Sequence, residues 1–211
     1  MKKTLYSLML SDEVVQQIDL LAHRAGTNRS NLVNQILAEY AHMTTPERRV
    51  SDVFKAVEAL LSPVEELVPF VTPNATTMSL KSALEYKYRP TVRYEVELYR
   101  SPTDSLGELT VVFRTQSQQL LRDMELFFRL WKRVEDIYLT QQVRYALYDG
   151  KFTRSLCLPT VDCTADSLAE SLSAYIRLFD SCLKGYITGR LHAGDVEHAY
   201  RELLQTQTMI L

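Results

Sequence analysis

Three thiols and two imidazoles in the last third of the chain carry its most obvious chemistry. Cys157 and Cys163 are followed by Cys182, His192 and His198, and thiolate with imidazole is a ligand set that zinc accepts. The spacing argues against it, because five residues separate the first two cysteines, whereas zinc pairs usually leave about two to four between ligands. Buried thiols commonly serve as small hydrophobes, so neither metal nor cofactor is expected. The sequence contains no glycine-rich phosphate loop, HExxH or GxSxG. Its acidic residues are scattered and form no obvious catalytic pair, and the chain does not read as an enzyme.

Composition sets further bounds. The 211 residues suffice for one large domain, or for a small domain joined to a medium one. A formal net charge of -2 and a pI of about 6.1 give no whole-chain support for nucleic-acid binding, so any such reading rests on a local surface. An odd number of cysteines points to reduced thiols and a cytoplasmic protein. The apolar run from Leu5 to Leu10 is interrupted by Ser7 and followed at once by acids. It is too short for the core of a cleavable signal, and the segment is expected to be kept. With no uninterrupted apolar window of roughly 18 residues, no membrane partner is expected.

The first elements are set by caps and periodicity. Ser11 can cap a helix that opens on Asp12 and Glu13 and carries Val14, Val15, Ile18, Leu21, Ala22 and Ala25 at helical spacing, with Gly26 placed to end it. Asn28 can cap a second helix with Leu32, Val33, Ile36, Leu37 and Tyr40 on its apolar face. Residues 1–43 therefore read as strand, helix, tight turn, helix. A lone strand leaves its backbone groups without partners, and roughly 40 residues bury too little surface to stand alone. The economical solution is a homodimer in which two strands pair antiparallel above four helices.

That order, with the segment YSLMLSDEVVQQIDLLAHRAGTNRSNLVNQILAEY and its GTNRSNL turn, resembles the ribbon-helix-helix family of DNA-binding proteins, which includes the CopG, Arc and MetJ repressors. The resemblance covers about a fifth of the chain. It implies a shared dimer core of Tyr6, Leu8, Leu10, Ile18, Leu21, Leu32 and Ile36. It also implies an outer strand face of Leu5, Ser7 and Met9 that enters the major groove, which is wide enough for two strands. The start of the second helix, at Asn28, Arg29 and Ser30, would hold a phosphate on its free amides, with Lys2 and Lys3 reaching flanking phosphates. One departure matters. Family members generally carry polar readers on the outer face, whereas Leu5 and Met9 could only pack on thymine methyls or sugars, or else meet a protein. Charge adds no help, because Lys2, Lys3, Arg24 and Arg29 are matched by Asp12, Glu13, Asp19 and Glu39.

Beyond this module, residues 44–77 read as a helical connector. Thr45 and Pro46 open a helix that carries Val50, Val53, Phe54, Val57, Leu60 and Leu61 as far as Ser62-Pro63, and the loop-like VPFVTPNATT follows. Residues 78–211 read as an α+β domain with an antiparallel sheet and long helices. VRYEVELY alternates strictly, and LKSALEYKY and ELTVVFRT are its expected neighbours. Residues 116–139 form a long amphipathic helix whose Phe127 and Trp131 read as core, YALYDGKFTRSL reads as a hairpin around Asp149-Gly150, and helices at 166–184 and 195–205 finish the chain. The overall expectation is a dimeric transcriptional regulator of prokaryotic type whose C-terminal domain binds a small molecule or a protein, or extends the oligomer. A plasmid-partition or antitoxin-like DNA-binding protein, and a scaffold that uses the module only to dimerise, are the alternatives.

Overall fold

Three side-chain caps start the first three helices. Ser11 Oγ accepts from the Val14 amide, Asn28 Oδ1 from Asn31 and Thr45 Oγ1 from Arg48, opening α1 (Asp12–Arg24), α2 (Arg29–Tyr40) and α3 (Pro46–Leu61). α1 ends in a Schellman turn, with Thr27 N on Ala22 O at 2.9 Å and Gly26 left-handed at φ 61°. α2 ends in the same way with His42 at φ 55°, where the motif favours glycine. This computed structural model describes residues 4–63, 67–71, 76–86, 89–148, 150–160, 162–207 and 209.

The architecture is α+β, with six helices and one six-stranded antiparallel sheet among the described residues. The strands are β1 (Leu67–Val71), β2 (Thr77–Ala83), β3 (Thr91–Leu98), β4 (Gly107–Phe113), β5 (Tyr145–Tyr148) and β6 (Lys151–Leu156), in the spatial order β1-β2-β3-β4-β6-β5. α4 (Gln118–Tyr138) connects β4 to the β5–β6 hairpin, and α5 (Ala165–Ile187) and α6 (Ala193–Thr206) complete the chain. Strict alternation on β3 buries Val92, Tyr94, Val96 and Leu98. Register then lines up Leu80, Tyr94, Val111 and Phe152 across four strands of the same face. The apolar faces of α3, α4, α5 and α6 share one hydrophobic core with that face. The opposite face carries Ser79, Lys81, Arg93, Glu95, Glu97 and Glu108, as expected of a sheet that meets water on one side.

Several expectations are corrected. VPFV is not a loop: it forms β1, which tolerates Pro69 because an edge strand can spare an amide. α5 does not stop at Lys184, as its expected range of 166–184 has it, but continues to Ile187, and a Cβ on Gly185 would lie 2.5 Å from Leu191 Cδ1, so that glycine serves close packing. α3 is a helix as expected, yet it is more than a connector. Val50, Val53, Phe54, Val57 and Leu61 are buried in the same core as the sheet. Asp149 of the hairpin turn lies outside the described residues, and Gly150 beside it has φ 72°. Phe127 and Trp131 are fully buried core, packed 5.8 Å apart.

Candidate nucleic-acid interface

Residues 4–10 belong to no strand within the single chain, and among the described residues no backbone hydrogen bond joins them to the rest of it. Their apolar side chains lie in water. Leu5 is 96% exposed, Tyr6 81% and Met9 100%, with Leu8 and Leu10 also exposed. The expected outer face (Leu5, Ser7, Met9) and the expected inner face (Tyr6, Leu8, Leu10) are therefore equally open in one copy. Of the remaining expected core positions, Ile18 and Leu32 are half-buried, while Leu21 and Ile36 are exposed. Only Ala22 of α1 is buried, and no residue of α2 is. Tyr40 and Met43 at the end of α2 extend this apolar surface, beside a groove of about 900 Å³ that reaches from Leu5 across α2 to the start of α3. That is more apolar surface than a unit of this size usually leaves in water.

The expected phosphate contacts sit at the start of α2. The first intrahelical bond there runs from Leu32 N to Asn28 O, so the amides of Arg29 and Ser30 precede it and have no partner within the helix. Such free amides make up the positive end of the helix dipole, where an anion can bind. Asn28 also does the plainer job of capping, through Asn31 at 2.9 Å. Arg29 is engaged elsewhere. Its Nε and Nη2 grip Asp19 of α1 at 2.7 and 2.5 Å, and these hydrogen bonds hold the Asp19 carboxyl below its ordinary value. The sequence gives no hint of this cross-helix fork, because ten residues separate the two side chains. Lys2 and Lys3 lie outside the described residues.

Two polar networks are buried between the sheet and the helices packed on it. Glu135 and Arg154 are both fully buried, with Arg154 Nε 3.0 Å from each Glu135 oxygen. The same carboxylate accepts from the hydroxyls of Tyr145, Tyr175 and Tyr200. Burial first, and then the charge of Glu135, push the Tyr145 and Tyr200 hydroxyls well above their usual range, keeping them protonated donors. Trp131 donates to Tyr175 at 2.8 Å, tying the network into the aromatic core. The second network is Tyr94–Asp180–Lys184: Tyr94 donates to Asp180 Oδ1 at 2.7 Å, and Lys184 lies 2.8 Å from Oδ2.

A signal for the first network was present in the sequence. Glu135 lies four residues after Trp131 on the apolar stripe of α4, and Arg154 falls in the same phase of β6 as Phe152 and Leu156. A charge in the buried phase of each element marks a pair.

The cysteines are dispersed. Cys157 and Cys182 are buried, Cys163 is half-buried beside Arg49 Nη2 at 3.7 Å, and among the described residues no group of three or more His, Cys, Asp or Glu side chains could hold a metal ion. Among the described residues no helix is long and apolar enough to cross a membrane. No family model, curated protein or solved structure matches this chain.

Proposed function

We propose that the chain is a dimeric, sequence-specific DNA-binding transcriptional regulator acting in the cytoplasm, without catalytic activity. Residues 4–10 of two copies pair as an antiparallel ribbon, the ribbon enters the major groove, and the start of α2 holds a phosphate. One observation carries this reading: an apolar segment with no backbone partner in its own chain stands directly before two capped helices whose apolar sides are also open to water. Antiparallel pairing with a second copy satisfies the backbone and covers the apolar side chains together. Plasmid-partition and antitoxin-like proteins fall within the same physical description.

A second reading is favoured by Leu5 and Met9, whose apolar side chains suit a protein partner better than base edges. In that case the module only dimerises a scaffold. Selection of fragments from a random DNA library by the purified protein, with light scattering on the same sample, separates the two. The regulator enriches a motif with two-fold symmetry and has twice the chain mass. A dimer that enriches nothing and fails to bind DNA at low salt supports the scaffold, and a folded monomer refutes both.

A further inference from the structure

We infer that the cleft between α5, the α5–α6 loop and the turn after β2 binds a small dianion, either a dicarboxylate or a phosphate. The cleft encloses about 520 Å³, within the range of small-molecule sites. Five ionisable side chains converge on it: Arg177, Asp180 and Lys184 from α5, Arg190 from the loop and Glu85 from the turn. Among the described residues three are cations and two are carboxylates, a net charge of one positive unit before any ligand arrives.

The two carboxylates differ in what they can neutralise. Asp180 is only 3% exposed, and each of its oxygens is already engaged, one by Tyr94 and one by Lys184. Its charge is committed to the floor of the cleft, where it holds the buried Lys184 in place. Glu85 sits at the rim, paired with Arg190 Nη2 at 2.8 Å, and both side chains are more than half exposed. An exposed pair of this kind is weak and exchanges readily. A ligand carboxylate or phosphate can take Glu85's place on Arg190 while Glu85 returns to water.

The cationic groups are also held in position. Arg190 Nε donates to Thr188 Oγ1 at 3.0 Å, and Thr188 Oγ1 donates in turn to Lys184 O at 2.7 Å. Leu191 packs directly on Gly185 of α5, so the loop is stapled to the helix with Arg190 between the two attachments. On the other side Arg177 Nη2 donates to Leu60 O at 2.7 Å, leaving the rest of its fork for a ligand. Guanidinium forks match the planar oxygens of carboxylate and the tetrahedral oxygens of phosphate, and prior positioning reduces the entropy lost on binding.

This inference does not depend on DNA binding and is tested without DNA. Isothermal titration of the full-length protein with inorganic phosphate and with succinate, at ionic strength matched with chloride, should give a saturable isotherm of one site per chain for at least one of them. The tighter of the two identifies the ligand class. Arg190→Gln and Arg177→Gln, both exposed positions, should each weaken binding about tenfold, whereas Arg133→Gln on the exposed side of α4 should not change it. Thermal melting of the wild type provides a second readout that needs no variant: the effective anion should raise the midpoint relative to chloride. Absence of saturable binding by both anions in the millimolar range, or binding that survives both Arg177→Gln and Arg190→Gln, overturns the inference.

Discussion

Replacing Glu135 with leucine should be among the most damaging single changes in the protein, and its cost follows from the geometry. Glu135 accepts five hydrogen bonds, two from Arg154 and one each from Tyr145, Tyr175 and Tyr200. Without it, Arg154 keeps only the Ser155 carbonyl at 3.2 Å and the face of the Tyr175 ring at 4.7 Å, and Nη2 already lacks a hydrogen-bond partner among the described residues. A buried charge left in this way costs about 3–5 kcal/mol, equivalent to a fall of about 6–20 °C in Tm for a chain of this size. Arg154→Met should be milder, at about 1–3 kcal/mol, because the carboxylate keeps three hydroxyl donors. The double variant strands no charge and should be more stable than Glu135→Leu alone, giving a coupling energy of about 1–3 kcal/mol. Urea denaturation of the four proteins, followed by circular dichroism and Trp131 fluorescence, measures all three quantities. Equal costs for the two single variants, or an additive double variant, would refute the reasoning.

Four further outcomes are expected. Leu8→Asp places a charge in the proposed dimer core and should dissociate or unfold the N-terminal module, seen as a halved mass by light scattering; an unchanged dimer would exclude Leu8 from the interface. Asp19→Asn releases Arg29 from its fork and should tighten DNA binding and steepen the salt dependence by up to about one unit per chain in log-log slope; an unchanged slope in a DNA-binding protein would show that Arg29 meets no phosphate. Cys163 should be the first thiol to react with a maleimide, read by mass spectrometry, because burial pushes the Cys182 thiol up to about 12 and raises that of Cys157 as well; early labelling of Cys182 in the folded protein would contradict its environment. Gly107→Ala puts a Cβ 1.9 Å from the Glu97 carbonyl oxygen and should cost about 3 kcal/mol by forcing β3 and β4 apart; a neutral effect in thermal melting would mean that the strands can shift.

Local rules made much of this fold legible. The caps at Ser11, Asn28 and Thr45 and the alternation of Val92, Tyr94, Val96 and Leu98 are short-range facts, each set by a few neighbouring residues. β1 was hidden because Pro69 reads as a strand breaker until the segment is known to lie at a sheet edge, and edge position is a property of the whole topology. His42 sits just past the end of α2 with a left-handed backbone, a position for which sequence patterns favour glycine. The Asp19–Arg29 fork depends on how α1 folds back on α2, and the cleft around Lys184 depends on three separate elements meeting. Side-chain spacing along the chain encodes neither. The proposed placement of Ser7 on an outer face rests on parity alone, since residues 4–10 pair with no strand of their own chain.

The seating of α3 has a mechanical consequence. Only residues 41–45 separate the end of α2 from its first turn, and Thr45, which caps it, is itself buried. The sixteen residues of α3 make a rigid spoke about 24 Å long, with its far end at Leu61 fixed in the core beneath the sheet. Val50, Val53, Phe54 and Val57 are buried along the same spoke, so its near end is gripped as well as its far one, and the start of α3 keeps its place in the core like a tenon glued along its full length.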